Sequence, residues 1–280
     1  MKTAVLTDST AYIPQEIREQ KNIHMIPLNV LIGDKSYKEE VEITAEEFYQ
    51  KVRESEEFPK TSQPAIGDVA AKLEELSKDY DAVVAIHLSS GISGTFQGTI
   101  TASSMVDEIK VYPFDSEISC MLQGFYVLEA AEMAAAGAHP EDIIKRLEEM
   151  KKSSRAYFVV DDLTHLHRGG RLSGAQAIMG SLLQVKPVLH FVDKVIVPFE
   201  KIRTRKKALR RVIGLFEDIA QSGEPIRATV IHSNCEEDAL ELIAELESRF
   251  PNAEFVLSYF GPVIGTHLGE GALALGWYKK

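Results

Sequence analysis

The sequence predicts a two-domain α/β protein, and three observations lead there. The chain has 280 residues, 45% hydrophobic and 26% charged, which is enough to bury a sizeable core in one large or two ordinary domains. In the first half, apolar runs alternate with amphipathic stretches at the spacing of strand, helix, strand, which argues a mostly parallel sheet. In the second half, two β-branched runs meet through only Asp193-Lys194, which argues an antiparallel hairpin. The linker-like composition of Lys151-Lys152-Ser153-Ser154-Arg155 places the boundary between residues 1–155 and 156–280.

Element by element, residues 3–6 read as a strand and 26–32 as a second, ending at Gly33-Asp34. Helices are expected at 45–53 and 68–77, the latter with Val69, Leu73 and Leu76 on one face. Residues 81–88 read as a buried strand with a helix following from Thr95, and 110–114 as the next strand. Two helices follow at 124–136 and 140–151. Beyond the boundary come a strand at 156–160, a helix at 175–183 and the hairpin strands 188–192 and 195–198. Leu209, Val212, Ile213, Phe216 and Ile219 form a helical stripe, followed by a strand at 228–232, a helix at 236–250 and a strand at 254–259.

Charge and composition exclude some functions. A net charge of −11 disfavours general nucleic-acid binding, because phosphate backbones reward dense positive charge. No apolar run approaches the ~18 residues of a membrane span. The apolar part of the N-terminus is too short for a signal-peptide core, so a cytoplasmic protein is expected. Cys120 and Cys235 fit no metal spacing and read as reduced thiols. Asp161, Asp162, His165 and His167 match no standard zinc pattern.

The loop Leu88-Ser89-Ser90-Gly91-Ile92-Ser93-Gly94-Thr95 follows a buried strand and opens a helix. Ligands of parallel sheets bind at the carboxyl ends of strands, and a helix N-terminus offers free N–H groups and a positive dipole end. The glycines let backbone approach an anion, and the hydroxyls add donors. The loop lacks a P-loop lysine, and it has Thr95 where a hydrolase nucleophile elbow needs glycine. Thr7-Asp8-Ser9-Thr10 and Lys60-Thr61-Ser62-Gln63-Pro64 are two further hydroxyl-rich segments, the second read as a loop before a helix. Each alone reads equally as helix capping; together they suggest one shared polar pocket. Arg168-Gly169-Gly170-Arg171 can present a guanidinium to a carboxylate, and the glycine-rich segment around Thr266 and His267 implies close approach to something.

Taken in order, these pieces resemble the DegV family of bacterial lipid-binding proteins. The matching segments are TDST at 7–10, PKTSQP at 59–64, LSSGISGT at 88–95, Asp115-Ser116, RGGRLSG at 168–174, Lys186-Pro187 and GPVIGTHLG at 261–269. Glu270 departs from the family pattern, which usually has proline there. The resemblance implies a C-terminal α+β domain with a largely antiparallel sheet, and a long-chain fatty acid held between the domains. It implies that Thr61, Ser62, Ser93, Gly94, Thr95, Arg171, Thr266 and His267 surround the carboxylate, with no metal and no cofactor besides the bound fatty acid. It also implies that the chain does no chemistry alone. It would present the carboxylate to a separate ATP-binding fatty acid kinase subunit, whose acyl phosphate feeds phospholipid synthesis.

The chemistry of the residues is compatible with this. A buried carboxylate must be hydrogen-bonded. At ~0.8 kcal/mol per buried CH₂, a chain of about 16 carbons contributes roughly 11–12 kcal/mol gross, much of it offset by association costs. The segments Ile178-Met179 and Met121 to Phe125 are candidates for the tail tunnel. Arg203, Arg205 and Lys206, in a basic stretch that opens a helix against its dipole, are candidates for docking the kinase subunit. A monomer is expected. The alternative is a lipid esterase or acyltransferase with Ser93 as nucleophile and His267 as base.

Overall fold

The computed structural model describes residues 1–161, 163–173 and 186–280. The first half runs β1 (Thr3–Asp8), a 3₁₀ turn (Ser9–Ala11), α1 (Gln15–Gln20), β2 (Ile23–Ile26), β3 (Asn29–Ile32), β4 (Lys35–Lys38), α2 (Ala45–Glu54), β5 (Lys60–Ser62), α3 (Ile66–Ser77), β6 (Ala82–His87), α4 (Thr95–Ser103), β7 (Lys110–Asp115), α5 (Cys120–Ala135) and α6 (Pro140–Ser153). The second runs β8 (Arg155–Val159), α7 (Thr164–Arg168), β9 (Val188–Val192), β10 (Val195–Glu200), α8 (Arg205–Ala220), β11 (Ile226–His232), α9 (Glu236–Arg249), β12 (Ala253–Tyr259), α10 (Pro262–Leu268) and β13 (Leu273–Lys279). The helix expected at 175–183 lies outside the described residues.

Strands β2-β1-β6-β7 form a parallel sheet in that order. Strand β6 is apolar almost throughout because helices cover both its faces. Ala4, Leu6, Val83 and Ala85 pack with Val69 and Leu73 of α3 and Ala102 of α4. Val5, Val84 and Ile86 pack on the other side with residues of α5 and α6. The second sheet has the order β10-β9-β8-β13-β11-β12 and is antiparallel except at the β11–β12 pair. Helices α8 and α9 cover its outer face through Phe216, Ala239 and Leu246 against Val230, Leu275 and Trp277.

The two halves share a middle layer. Helices α5 and α6 touch strands of both sheets, so α5 is enclosed on two sides. Every residue from Cys120 to Leu128 is buried. That is why its sequence lacks a polar face: a helix between two apolar layers is hydrophobic all round.

Three expectations are revised. The single strand read at 26–32 is two strands, broken at Pro27-Leu28. Proline has no N–H for the ladder, so β2 stops at Ile26 and β3 crosses to the small sheet β4-β3-β5. Lys60-Thr61-Ser62, read as loop, is β5, an edge strand of that sheet. Strand β13, at the centre of the second sheet, was not expected. Its sequence Ala272-Leu273-Ala274-Leu275-Gly276-Trp277 alternates small and large, which is strand periodicity sorted by size.

The parallel sheet is tied to the site by one buried carboxylate. Asp8, at the end of β1, is fully buried; its Oδ2 lies 3.0 Å from His87 Nδ1 and accepts from the Leu88 amide at 2.9 Å. Its Oδ1 accepts from the Thr10 amide and hydroxyl at 3.1 and 2.6 Å. Burial alone would raise this carboxyl, but the contacts with His87, Thr10 and Leu88 outweigh it and hold it below its ordinary value. We expect Asp8→Asn to cost about 3–5 kcal/mol in urea denaturation, because an amide NH₂ then faces the Leu88 N–H. The folded-state value is depressed, so this stabilisation is present above the unfolded carboxyl range near ~3.9 and is lost as pH falls through the folded value. An unchanged denaturation midpoint in the variant contradicts the assignment.

Candidate ligand-binding site

The hydroxyl-rich segments meet at the carboxyl ends of the parallel strands. The loop from Leu88 to Gly94 leaves β6 and enters α4 with Gly94 as N-cap. Its shape is set by close neighbours: a Cβ on Gly91 would collide with the Lys194 carbonyl, and one on Gly94 with the Gln63 side chain. The β9–β10 turn, with Asp193 and Lys194 both at positive φ, reaches over from the second half. There Ser89 Oγ donates to Lys194 O at 2.6 Å and Lys194 Nζ lies 3.0 Å from Asp115 Oδ2. Asp115 also accepts from the Ser90 amide and hydroxyl. The Thr7-Asp8-Ser9-Thr10 segment differs from the expected shared pocket: it is buried beneath the loop and supports it without lining the cavity.

A cavity opens beside this loop. Counting its open mouth, the empty space is about 880 Å³. Thr61, Ser62, Gln63, Ser93, Gly94, Arg171 and His267 line its polar side. Apart from Ser119 the rest is apolar, with Leu28, Leu88, Ile92, Leu122, Phe158 and Phe191 among the walls. The cavity runs between the α5 layer and the inner face of the second sheet. Room exists there because three facing positions are small: Ala274 and Gly276 on β13, and Ala156, which pairs with Gly276 from β8. A Cβ on Gly276 would already sit 3.3 Å from Leu122 Cδ2. Of the expected tail segments, 121–125 contributes Leu122, joined by Cys120, while Ile178-Met179 lies outside the described residues.

At the polar side, Thr61 Oγ1 and His267 Nε2 are 2.9 Å apart. His267 rides the last turn of α10, and its Nδ1 is buried against Gly169 with no hydrogen-bond partner among the described residues. Burial, with Arg171 and then His165 beside the ring, lowers it to about 4. Arg171 is held by the Ile92 and Gly169 carbonyls at 3.1 and 2.6 Å, which fixes its guanidinium at the cavity wall. Ser93 Oγ lies 2.9 Å from Thr95 Oγ1 and accepts from the Thr95 amide.

Two expected carboxylate neighbours stand behind the wall. Thr95 is buried and bonded to Ser93, and Thr266 donates back to the Pro262 carbonyl of its own helix at 2.8 Å. The esterase arrangement is not assembled: Ser93 pairs with Thr95, and His267 with Thr61. Among the docking candidates, Arg203 and Lys206 are exposed, whereas Arg205 turns inward onto Asp161, Asp238 and the Gly271 carbonyl. Of the acidic and histidine group, Asp161 pairs with Lys186 and Arg205, His165 lies 3.3 Å from the Thr266 carbonyl, and Asp162 lies outside the described residues. Glu270 pairs with Arg53 at 2.9 Å and accepts from Asn234, so the turn after His267 is held by an ion pair.

The site is a hydroxyl-, amide- and guanidinium-lined mouth on an apolar cavity between two α/β halves. The chain belongs to the DegV family: residues 2–280 match a family described as uncharacterised proteins of that name. Protein DegV of Bacillus subtilis is 63% identical over 281 residues, covering all of both chains. A DegV domain-containing protein of Listeria innocua is 53% identical, covering 100% of this chain and 99% of its own. The crystal structure of Bacillus subtilis DegV, described as a fatty acid binding protein, matches with a TM-score of 0.96 at 62% identity over the whole of both chains. A DegV family protein of Thermus thermophilus, described by its fatty acid binding, matches with a TM-score of 0.92 at 33% identity over 100% of each chain.

Because Arg171 helps to depress His267, we expect Arg171→Ala to raise the histidine's titration midpoint above the wild-type value of about 4 in ring-nitrogen NMR. The imidazole should stay neutral at pH 6 in the wild type; a midpoint near ~6.5 there would remove the burial argument. The depressed value also means that its contribution to stability is lost as pH falls from the unfolded value toward the folded one.

Proposed function

We propose that this chain binds a long-chain fatty acid, with the carboxylate among Thr61, Ser62, Ser93, the Gly94 amide, Arg171 and His267. The acyl tail lies along the apolar cavity toward Gly276. In this reading residues 1–155 supply the hydroxyl loops and residues 156–280 complete the tunnel. The observation that carries it is the polarity of the cavity: donors and one guanidinium gather at the mouth, and the remaining lining is almost wholly hydrocarbon. Thr61, Ser93 and the amide at the α4 N-terminus offer the hydrogen bonds a buried carboxylate requires. The fatty acid binding described for the Bacillus subtilis and Thermus thermophilus relatives supports the same ligand class.

The protein does no chemistry alone in this reading. It presents the carboxylate to a separate ATP-dependent kinase subunit in the cytoplasm, and the acyl phosphate enters phospholipid synthesis. Carboxylate donors at the mouth support presentation to a partner, and the exposed Arg203 and Lys206 offer that partner a cationic surface. Among the described residues no helix is long and apolar enough to cross a membrane.

Mass spectrometry of purified protein, native and then after denaturing extraction, tests the ligand. We expect near one fatty acid per chain. Thr61→Val and Ser93→Ala should each weaken binding by roughly 10- to 150-fold, the loss of a charged hydrogen bond worth ~1.5–3 kcal/mol. Gly276→Leu should shorten the preferred chain by filling the space beside Leu122. Protein that stays empty after incubation with a panel of fatty acids overturns the proposal. For the partner, Arg203→Glu with Lys206→Glu should abolish acyl-phosphate formation with a kinase subunit and leave lipid binding intact; lost lipid binding would count against a docking role.

A further inference from the structure

A buried carboxyl group that does not line the cavity holds the helix that carries His267. Glu39 follows β4 and is fully buried. Three donors converge on it: Ser9 Oγ at 2.5 Å, Tyr12 OH at 3.0 Å and the Val263 amide at 2.7 Å. Ser9 Oγ accepts from the Leu28 amide and Tyr12 OH from the Ile264 amide, at 3.1 and 3.3 Å. Each hydroxyl thus accepts one backbone N–H and directs its own hydrogen at Glu39. Val263 and Ile264 belong to the first turn of α10, while Ser9, Tyr12 and Glu39 belong to the first half. The contact is close enough to demand glycine at the helix N-cap, since a Cβ on Gly261 would collide with the Tyr12 ring and approach Glu39 Oε1.

Helix α10 has seven residues, about 10 Å at 1.5 Å per residue. Glu39 grips one end, and His267 meets Thr61 at the other. Along the way Val263, Ile264 and Leu268 line the cavity. We propose that Glu39 is a positioning residue: through Val263, Ser9 and Tyr12 it sets the seat of α10 against the first half, and so places His267 and the α10 wall against the ligand it never touches. This rests on the fatty-acid reading of the cavity.

The surroundings are consistent with a tuned group. Burial, with the neighbouring Glu40, pushes Glu39 up to about 8, against the pull of its three donors. The charged and titratable groups facing this cluster are Glu40, Tyr12, Tyr259, Cys120 and, beyond Glu40, Arg18.

The test uses delipidated full-length protein, palmitate binding by equilibrium partition, and ring-nitrogen NMR of His267. Glu39→Leu keeps the volume and removes both oxygens from the three donors. We expect at least a tenfold loss of palmitate affinity together with a displaced His267 signal, whereas Glu40→Gln, which does not reach α10, should change neither. A folded Glu39→Leu protein with wild-type affinity and an unmoved His267 signal overturns the proposal. If Glu39→Leu does not fold, Tyr12→Phe decides, because it removes one hydrogen bond from the cluster and keeps the ring. The same pair of changes supports the inference, and their absence overturns it. Wild-type protein that binds no palmitate breaks the functional reading instead, and the His267 signal in the variants still judges the role of Glu39.

Discussion

Asp8 is the constraint on which the site depends. A carboxylate at the end of β1 with no access to water must find its partners inside, and it finds them on the neighbouring strand β6: His87 and the Leu88 amide. His87 in turn lies 2.9 Å from Thr99 on α4, so a single buried network joins the first strand, the central strand and the helix that the glycine loop opens. The loop can then be short and rich in glycine without wandering, because the backbone on either side is fixed. Ser89 and Ser90 hold it in place through the Lys194 carbonyl and Asp115, and the cavity begins at Ile92, Ser93 and Gly94.

The cavity comes from packing that is incomplete on one face. Two sheets and the α5–α6 layer would close on one another if every inward position carried a large side chain. On β13 the alternation decides otherwise: Leu273, Leu275 and Trp277 fill the side facing α8 and α9, and Ala274 and Gly276 leave the α5 side thin. Ala156 on β8 continues the thin strip directly opposite Gly276. The cost is modest, because the outer face carries the large aromatics and the strands keep their full ladders. One strand thus serves as core on one face and as cavity wall on the other.

Much of this is legible in the sequence, for identifiable reasons. Thr61, Ser93, Gly94, Arg171 and His267 stand out as a set, because each hydroxyl or glycine alone reads as a helix cap and only their recurrence points to a shared pocket. The structure brings all five to one cavity. Thr95 and Thr266 carry the same signal and yet are engaged behind the wall, Thr95 with the Ser93 hydroxyl and Thr266 with the Pro262 carbonyl of its own helix. Glu39 is hidden for the opposite reason: in Lys38-Glu39-Glu40 it looks like a solvated charge, and only the three-dimensional convergence of Ser9, Tyr12 and Val263 reveals a buried one. Arg205 likewise reads as part of a basic surface, but Asp161 and Asp238, distant in sequence, claim it. Strand β13 was readable in principle from its size alternation, which a hydrophobic count alone treats as one uniform apolar run.

The electrostatics of the mouth follow from the same economy. A fixed positive charge from Arg171 stands beside a histidine that burial keeps neutral, and the two are not interchangeable. Were His267 cationic before a ligand arrived, the buried mouth would hold two desolvated positive charges with no anion to share, which the surrounding apolar wall opposes. With the imidazole neutral, Arg171 is the fixed cation at the mouth, and the hydroxyls supply hydrogen bonds without charge. In the fatty-acid reading, a bound carboxylate meets that guanidinium beside a ring that burial and Arg171 together hold below its ordinary value.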